Sequence, residues 1–384
     1  MSMNLDMISL NSEFSEGTGL RTEEMLLNVG PQHPSTHGVF RLVVKIDGET
    51  IKESLPVIGY LHRGTEKLAE GLNYTQIIPY TDRMDYLSAM TNNYVICHAV
   101  ETMMGIQIPE RADFLRVIVM EMNRIASHLV WWGTYLLDIG AMSPFLFAFR
   151  DREMILELFN ELCGARLTYN YMRIGGVKWD APPGWIEKVK EFVKHLKKEI
   201  ENYHALVTGN EIFINRLQGI GKFDAKTAID YSLSGVMLRS TGVKWDLRKD
   251  EPYSIYNRFE FDVPTATEGD CLARYQLRMA EIEQSLRILE QALGQFPEEG
   301  EIMGKVPKVI RPPQGETFVR IESPRGEIGC YIASNGKDKP WRMKFRRPSF
   351  NNLQILPKLL KGENISNMVA ILGSIDIVLG EVDA

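Results

Sequence analysis

The feature that most limits the possible folds is a heptad repeat near residue 280. Apolar side chains recur there in alternating steps of three and four: Leu272, Tyr275, Met279, Ile282, Leu286, Leu289, Leu293 and Phe296. This spacing places an apolar stripe along one side of a helix, which is stable only when it packs against other helices. The chain is therefore expected to contain a helix bundle.

Further segments carry helical patterns. Residues 84–105 and 111–142 are long, apolar and poorly interrupted, which predicts two buried helices. Residues 151–173 predict a third, whose first aspartate would lie near the positive end of the helix dipole. An amphipathic helix is predicted for residues 185–207, and a last helix for residues 351–360.

Strands are predicted near both ends of the chain. Asp47-Gly48, between two strand-like runs of residues 23–60, is a strong hairpin signal. Beyond Pro297, short strands are predicted at 316–322, 328–333 and 341–346. The expected fold is α+β and predominantly helical. The predicted regions are an N-terminal extension (1–21), a β-sheet region (22–60), a helical bundle core (61–300) and a C-terminal β-containing region (301–384).

Composition excludes several classes of protein. The 44 basic and 50 acidic side chains give a net charge of −6, so nothing favours binding to nucleic acid. The first residues lack the pattern of a secretory signal. The best candidate span has 13 uncharged residues between Arg124 and Asp138, against about 20 needed to cross a bilayer. The chain is expected to be soluble, or peripheral on a membrane through partner proteins.

The cysteines do not suggest a metal site. The four cysteines lie far apart, and no two have the C-x-x-C spacing. A disulfide framework, a zinc site or an Fe–S cluster on this chain alone is therefore not expected. A phosphate loop, a dinucleotide-binding glycine motif, the H-E-x-x-H motif and the G-x-S-x-G motif are all absent.

Three polar features remain as candidates for chemistry. His33 and His37 lie in a Pro- and Gly-rich turn, where they either cap backbone groups or place a proton donor on a movable loop. Tyr86 follows Asp82, a candidate helix N-cap, and is either a core tyrosine with one hydrogen bond or a functional phenol. Asp138 stands on an apolar helix and, if buried, needs a charged partner.

Five blocks of sequence together resemble one family. They are GPQHPSTHGVFRLVVKIDGE (30–49), PVIGYLHRGTEKLAE (56–70), PYTDRMDYLS (79–88), NRIASHLVWWGTYLLDIGA (123–141) and DIVLGEVD (376–383). The blocks are similar to those of the D subunit of proton-pumping respiratory NADH:quinone oxidoreductase, or complex I. The resemblance extends from about residue 22 to the C-terminus.

The resemblance implies the fold of the [NiFe] hydrogenase large subunits, with a long-helix bundle between an N-terminal β-sheet and a C-terminal β-containing region. Hydrogenases hold their metal with two C-x-x-C pairs. Here the region of the first pair reads RMDYLS (83–88), and the C-terminal region has no second pair. The family has a quinone head-group pocket in place of the metal, and no metal is expected on this chain.

The resemblance also implies roles for individual residues. His37 and Tyr86 match the two quinone head-group ligands, which would donate protons at opposite ends of the ring. Asp138 matches a carboxylate that pairs with this histidine and keeps it protonated. Asp376 and Val378 match residues that line the pocket.

Cofactors and partners are implied in the same way. Arg63 and Arg83 match arginines close to a terminal [4Fe–4S] cluster, which the neighbouring B subunit holds. This chain alone would bind no cofactor; quinone would be its substrate, and NAD(H) would bind to distant subunits. The implied partners are the B, C, H and I subunits, on the cytoplasmic side of the cell inner membrane.

Two positions depart from the family pattern. Thr168 stands three residues before Tyr171, where many members have a histidine that tunes the potential of the cluster, and Ala384 stands where many end in arginine. The resemblance leaves open a related complex that takes electrons from ferredoxin or a reduced deazaflavin. It also leaves open a non-catalytic scaffold subunit and, against the missing cysteine pairs, a [NiFe] hydrogenase large subunit. The identity of the quinone is likewise open.

Overall fold

A computed structural model describes residues 24–32 and 38–384, and its centre is a bundle of five long helices. These are α3 (Ala89–Met104), α4 (Glu110–Asp138), α5 (Met142–Cys163), α6 (Trp185–Tyr203) and α11 (Cys271–Gly294). Helix α4 packs against α3, α5 and α11, and α6 packs against α5 and α11. The predicted α+β fold with a long-helix bundle is confirmed.

Helix α11 shows why the heptad pattern predicted a bundle and what it concealed. Six residues of the predicted apolar stripe are buried, and its two end residues, Leu272 and Phe296, are partly buried. However, Arg274, Arg278 and Glu281 on its other sides are buried as well, so the helix is enclosed rather than one-sided. Buried charges need partners, and these arginines and the glutamate bond to neighbouring elements.

Small antiparallel sheets flank the bundle. The N-terminal sheet has the order β1 (Glu24–Val29), β2 (Arg41–Asp47) and β3 (Thr50–Val57), with Gly48 at φ 60° in the predicted hairpin. The C-terminal sheet consists of β6 (Gly315–Ser323), β7 (Gly326–Ser334) and β8 (Arg342–Arg346), which confirms the three predicted strands. Strands β4 (Met172–Arg173) and β5 (Gly176–Val177) form a short hairpin.

The remaining elements are short. Helix α1 (Thr65–Ala69) follows β3, and α2 (Tyr74–Thr81) precedes α3. A π-helical turn and four short helices lie between α6 and α11: His204–Thr208, α7 (Glu211–Leu217), α8 (Ala225–Asp230), α9 (Val236–Arg239) and α10 (Leu247–Asp250). A 3-10 turn covers Tyr256–Arg258. None of the described helices is long and apolar enough to span a membrane.

The start of α3 corrects the sequence prediction. The predicted helix 84–105 begins only at Ala89, so Tyr86 lies before the helix and not in its first turn. Asp82 is not an N-cap; it follows the last residue of α2 and is buried, and its Oδ1 accepts the N–H of Asn170 at 3.3 Å. The residues of this turn are buried against other elements and continue the apolar pattern of the helix. The periodicity therefore could not show that residues 84–88 are not helical.

Helix α5 also differs from the prediction of 151–173. It starts at Met142, and Gly164, at φ 72°, ends it. Asp151 therefore lies in mid-helix, where it accepts hydrogen bonds from Arg150 and His195 at 2.7 and 3.1 Å. Partners from α6 allow this carboxylate to be buried away from a helix end.

The C-terminal region contains more helices than predicted. The predicted helix 351–360 is divided into α12 (Pro348–Leu353) and α13 (Leu356–Leu360). Two helices that the sequence pattern did not predict follow, α14 (Asn367–Ile375) and α15 (Leu379–Val382). Helix α14 packs against α4 and α11, which places the chain end inside the fold.

Candidate functional site

Tyr86 lies in the non-helical turn between α2 and α3. Its side chain is half-buried, and its hydroxyl makes no hydrogen bond to the residues that the structure describes. Burial raises the pKa of this phenol, the neighbouring Asp85 carboxylate raises it further, and the Arg325 guanidinium opposes both effects. The phenol therefore keeps its proton at neutral pH and can donate it to an acceptor that becomes basic.

Arg325 joins the Tyr86 turn to the C-terminal end of the chain. It lies in the turn between β6 and β7 and is buried. Its Nη1 donates to Asp85 Oδ2 at 2.7 Å and to Ser127 Oγ at 3.0 Å, and its Nη2 donates to Asp376 Oδ1 at 3.3 Å. Burial acts to lower the pKa of the guanidinium, but the two carboxylates more than offset this and raise it above its usual value, so the residue stays charged. One buried cation thus fixes the residue before Tyr86.

Asp376 has a second cationic neighbour. Its Oδ2 lies 3.7 Å from Arg278 Nε, and the Arg278 guanidinium lies 4.3 Å from the centre of the Trp131 ring. Asp376 itself has a φ of 61°, which a non-glycine residue adopts only when its surroundings hold it there. Charges on two sides therefore fix the break between α14 and α15.

Helix α15 packs directly against the Tyr86 turn. A Cβ added to Gly380 would lie 2.6 Å from the Met84 carbonyl oxygen and 3.6 Å from Tyr86 Cε1, so only glycine allows this approach. On the neighbouring residue, Leu379 Cδ1 lies 3.5 Å from the Cβ position of Gly38. The helix therefore contacts both the tyrosine turn and Gly38, the first described residue after His37.

Glu381 adds a buried acid beside this contact. Its Oε2 accepts the N–H of Ser349 at 3.0 Å, and its Oε1 has no hydrogen-bond partner. Burial raises the pKa of its carboxyl to about 7, and the Asp85 carboxylate contributes to the increase. The site thus contains a carboxyl group that is partly protonated at neutral pH.

Asp138 is the last residue of α4. It is half-buried rather than fully buried, because the helix ends there and its last turn is partly open to solvent. Its Oδ2 lies 3.8 Å from the Cβ position of Gly373 on α14. Asp138 is thus placed against the helix that leads to Asp376.

The other predicted residues have different surroundings. Val378 is buried between α14 and α15, and its N–H donates to Ser349 Oγ at 3.3 Å. Arg63 and Arg83 are both exposed, and Arg83 Nη1 donates to the Pro79 carbonyl at 2.7 Å. His37 lies outside the described residues. Tyr86, Asp376 and Val378 are therefore connected through α15 and its neighbours, whereas the two arginines face outward.

Sequence reasoning missed Arg325, Asp85 and Glu381. Arg325 stands in a Ser-Pro-Arg-Gly turn, and polar turn residues are usually exposed, so no local pattern indicated its burial. Asp85 and Glu381 did lie inside the blocks that carry the family resemblance. The alternation of acidic and apolar residues there could have marked them as buried carboxylates that require partners.

The cysteines remain separate in the fold. All four are free, and Cys97, Cys271 and Cys330 are buried in different parts of the core. Within residues 24–32 and 38–384, no group of three or more His, Cys, Asp or Glu side chains could hold a metal ion. The described site is built from a phenol, carboxylates and guanidinium groups.

Comparisons with known proteins identify close relatives. The family model for the respiratory-chain NADH dehydrogenase 49-kDa subunit matches residues 138–313 and 304–384. The chain is 78% identical, over 364 residues, to the D subunit of the NADH-quinone oxidoreductase of Geobacillus kaustophilus, covering 95% of this chain and 99% of the relative. It is 77% and 75% identical to proteins of the same name from Geobacillus thermodenitrificans and Bacillus anthracis, covering 95% of this chain and all of each relative.

Proposed function

The chain belongs to the family of 49-kDa subunits of respiratory-chain NADH dehydrogenases, and we propose that it provides the quinone head-group site of a proton-translocating NADH:quinone oxidoreductase. The observation that supports this site is the contact of α15 with two segments. Gly380 lies against the Tyr86 turn, and Leu379 lies against Gly38, next to His37 in sequence. Helix α15 thus lies against the turn of one candidate proton donor, Tyr86, and against the residue that follows the other, His37, in sequence.

The proposed chemistry requires two donors. Reduction of a quinone to a quinol consumes two electrons and two protons, and its carbonyl oxygens lie at opposite ends of the ring. Tyr86 would donate to one oxygen and His37 to the other. The raised pKa of Tyr86 keeps its proton in place until electron transfer makes the oxygen basic. Asp138 would pair with the imidazolium of His37 and raise its pKa.

Electrons would arrive from outside the chain. A [4Fe–4S] cluster in the neighbouring B subunit would supply them one at a time, and NAD(H) would be oxidised in distant subunits. The exposed guanidinium groups of Arg63 and Arg83 are available to face that partner. The complex would also include the C, H and I subunits, and the chain would lie peripherally at the cytoplasmic side of the cell inner membrane.

The experiment compares variants within the assembled complex. Tyr86→Phe removes one hydroxyl, His37→Ala removes the imidazole, and Asp138→Asn removes the charge. Tyr331→Phe serves as the matched control, because this tyrosine lies on β7 and bonds to Glu316 in the C-terminal sheet. Assembly is measured by native gel, and NADH oxidation is measured with quinone and with an artificial acceptor that takes electrons upstream.

We expect quinone reduction per complex to fall by about 10²–10⁴-fold in Tyr86→Phe if proton transfer limits the rate. Oxidation with the artificial acceptor and the Tyr331→Phe control should be unaffected. The loss in Asp138→Asn should increase with pH, since a less basic His37 loses its proton at lower pH. Normal quinone reduction in both Tyr86→Phe and His37→Ala would refute the site.

A further inference from the structure

The loop between β3 and α1 is exposed but has a fixed path. Six of its seven residues, 58–63, are exposed. Yet Gly59 N–H and Leu61 N–H donate to the two carboxylate oxygens of Asp383 at 2.8 and 2.7 Å, and His62 Nδ1 lies 2.6 Å from the Asp383 carbonyl oxygen. We propose that Asp383 is a positioning residue that fixes loop 58–63, and with it Arg63, beside the proposed quinone site.

Asp383 is suited to this role because it is buried and its carboxylate offers two acceptor oxygens. Its side chain is 5% exposed, and the two N–H groups satisfy one carboxylate oxygen each. Hydrogen bonds from backbone N–H groups to a carboxylate are stronger than those between neutral groups. A carbonyl oxygen can only accept, so His62 carries its hydrogen on Nδ1 and presents Nε2 outward.

Asp383 is itself fixed to the site. It directly follows α15, in which Gly380 contacts the Tyr86 turn. Arg347 Nη1 donates to the carbonyl of Val382 at 3.2 Å and to that of Ala384, which holds the chain on both sides of Asp383. The segment 379–384 therefore contacts the tyrosine turn through Gly380 and the loop 58–63 through Asp383.

Arg63 is the residue that gives this arrangement a function. It is exposed and forms no ion pair within the part of the chain that the structure describes. A guanidinium that is not paired with a carboxylate is available to bind a neighbouring protein or an electron acceptor that gains negative charge. The strength of its attraction for such a charge depends on the distance between them. By fixing the loop, Asp383 sets the distance between Arg63 and that charge.

This inference rests on the proposed function, and its test uses the intact complex. The variants are Asp383→Ala, Asp383→Asn, Arg63→Gln and the double variant Asp383→Ala with Arg63→Gln. Asp262→Ala is the matched control, because this exposed aspartate forms one surface ion pair with Arg287 at 2.9 Å. The readouts are hydrogen exchange of the Gly59 and Leu61 amides, kcat and KM for quinone, and the midpoint potential of the partner's terminal cluster.

We expect amide exchange in Asp383→Ala to be at least about tenfold faster at Gly59 and Leu61, because the amides lose their acceptor. Amide exchange in Asp383→Asn should be faster than in the wild type and slower than in Asp383→Ala, because one acceptor oxygen remains. Asp383→Ala and Arg63→Gln should shift KM and the midpoint potential in the same direction. If Asp383 acts through Arg63, the double variant should be no worse than Arg63→Gln alone.

Three results would overturn the proposal. Unchanged amide exchange in Asp383→Ala would show that the carboxylate does not hold the loop. Faster exchange with unchanged KM and midpoint potential would show that the loop's position has no effect on the reaction. Additive effects in the double variant would show that Asp383 and Arg63 act independently. Each result is distinct from failure of the quinone site itself, which normal activity in Tyr86→Phe and His37→Ala would reveal.

Discussion

Substitution of Gly380 by alanine tests whether α15 positions Tyr86. The added methyl group would lie 2.6 Å from the Met84 carbonyl oxygen and 3.0 Å from that of Arg83. Ordinary contacts are about 3.5 Å or longer, so the turn or the helix must move by about 1 Å. Asp85 is bonded to Arg325, which hinders movement of the turn as a unit and places strain on Tyr86.

The magnitude follows from two opposing effects. Overpacking of this kind costs about 1–3 kcal/mol, whereas replacing glycine in a helix gains up to about 1 kcal/mol. The net loss of stability is therefore small, about 0–2 kcal/mol, and the complex should assemble. A displacement of about 1 Å at a reacting group can cost about 10²-fold in rate, so the kinetic effect should exceed the effect on stability.

The matched control is Gly294→Ala. Gly294 is the last residue of α11, and a Cβ added there meets nothing within 4 Å. This variant should be as stable as the wild type, or slightly more so, with unchanged kinetics. The assay is quinone-dependent NADH oxidation per assembled complex, with KM and kcat measured separately. Wild-type KM and kcat in Gly380→Ala would refute the view that α15 positions the tyrosine turn.

Two further predictions concern buried charges. The folded-state pKa of Glu381 is about 7, against 4.5 for a free glutamate. As the pH rises from 4.5 to 7, the stability of the wild type should therefore fall relative to that of Glu381→Gln, by about 3 kcal/mol at pH 8. Thermal unfolding of both proteins at pH 5 and pH 8 checks this, and an equal difference in stability at the two pH values would contradict it. Arg325→Met should cost about 3–5 kcal/mol, because Asp85 and Asp376 lose a buried cation, whereas Arg325→Lys should cost less; native-gel yields identical to wild type for Arg325→Met would contradict this.

The sequence predicted the parts of the fold that local periodicity controls. The stripe of α11 and the apolar run of α4 predicted the bundle, because a long buried helix requires helical neighbours. The Asp47-Gly48 turn and the strands around residues 316–346 were equally evident, since turn chemistry fixes a hairpin locally.

The parts that the sequence did not predict depend on distant contacts. The sequence of the turn that carries Tyr86 resembles that of a buried helix, because its residues are apolar. They are apolar because the turn packs against α15, a contact with a distant part of the chain. Helices α14 and α15 are too short to show a period. Arg325 is 240 residues from Asp85, and no local pattern indicates such an ion pair.

The candidate site follows the same division. Family resemblance indicated Tyr86, Asp376 and Val378, which the fold connects through α15. It gave no role to Asp85 and Arg325, whose charges act on the phenol, or to Glu381, whose carboxyl is affected by both of those charges. Their importance depends on burial, and burial is a property of the folded chain.

The proposed function requires that a quinone head group binds at Tyr86. The most direct measurement is a structure of the assembled complex, reduced and supplied with a short-tailed quinone. We predict that one carbonyl oxygen of the head group lies within about 2.6–3.2 Å of the Tyr86 hydroxyl, in hydrogen-bond contact. A fully occupied head group bound elsewhere, with the Tyr86 hydroxyl in contact only with protein or water, would contradict the account.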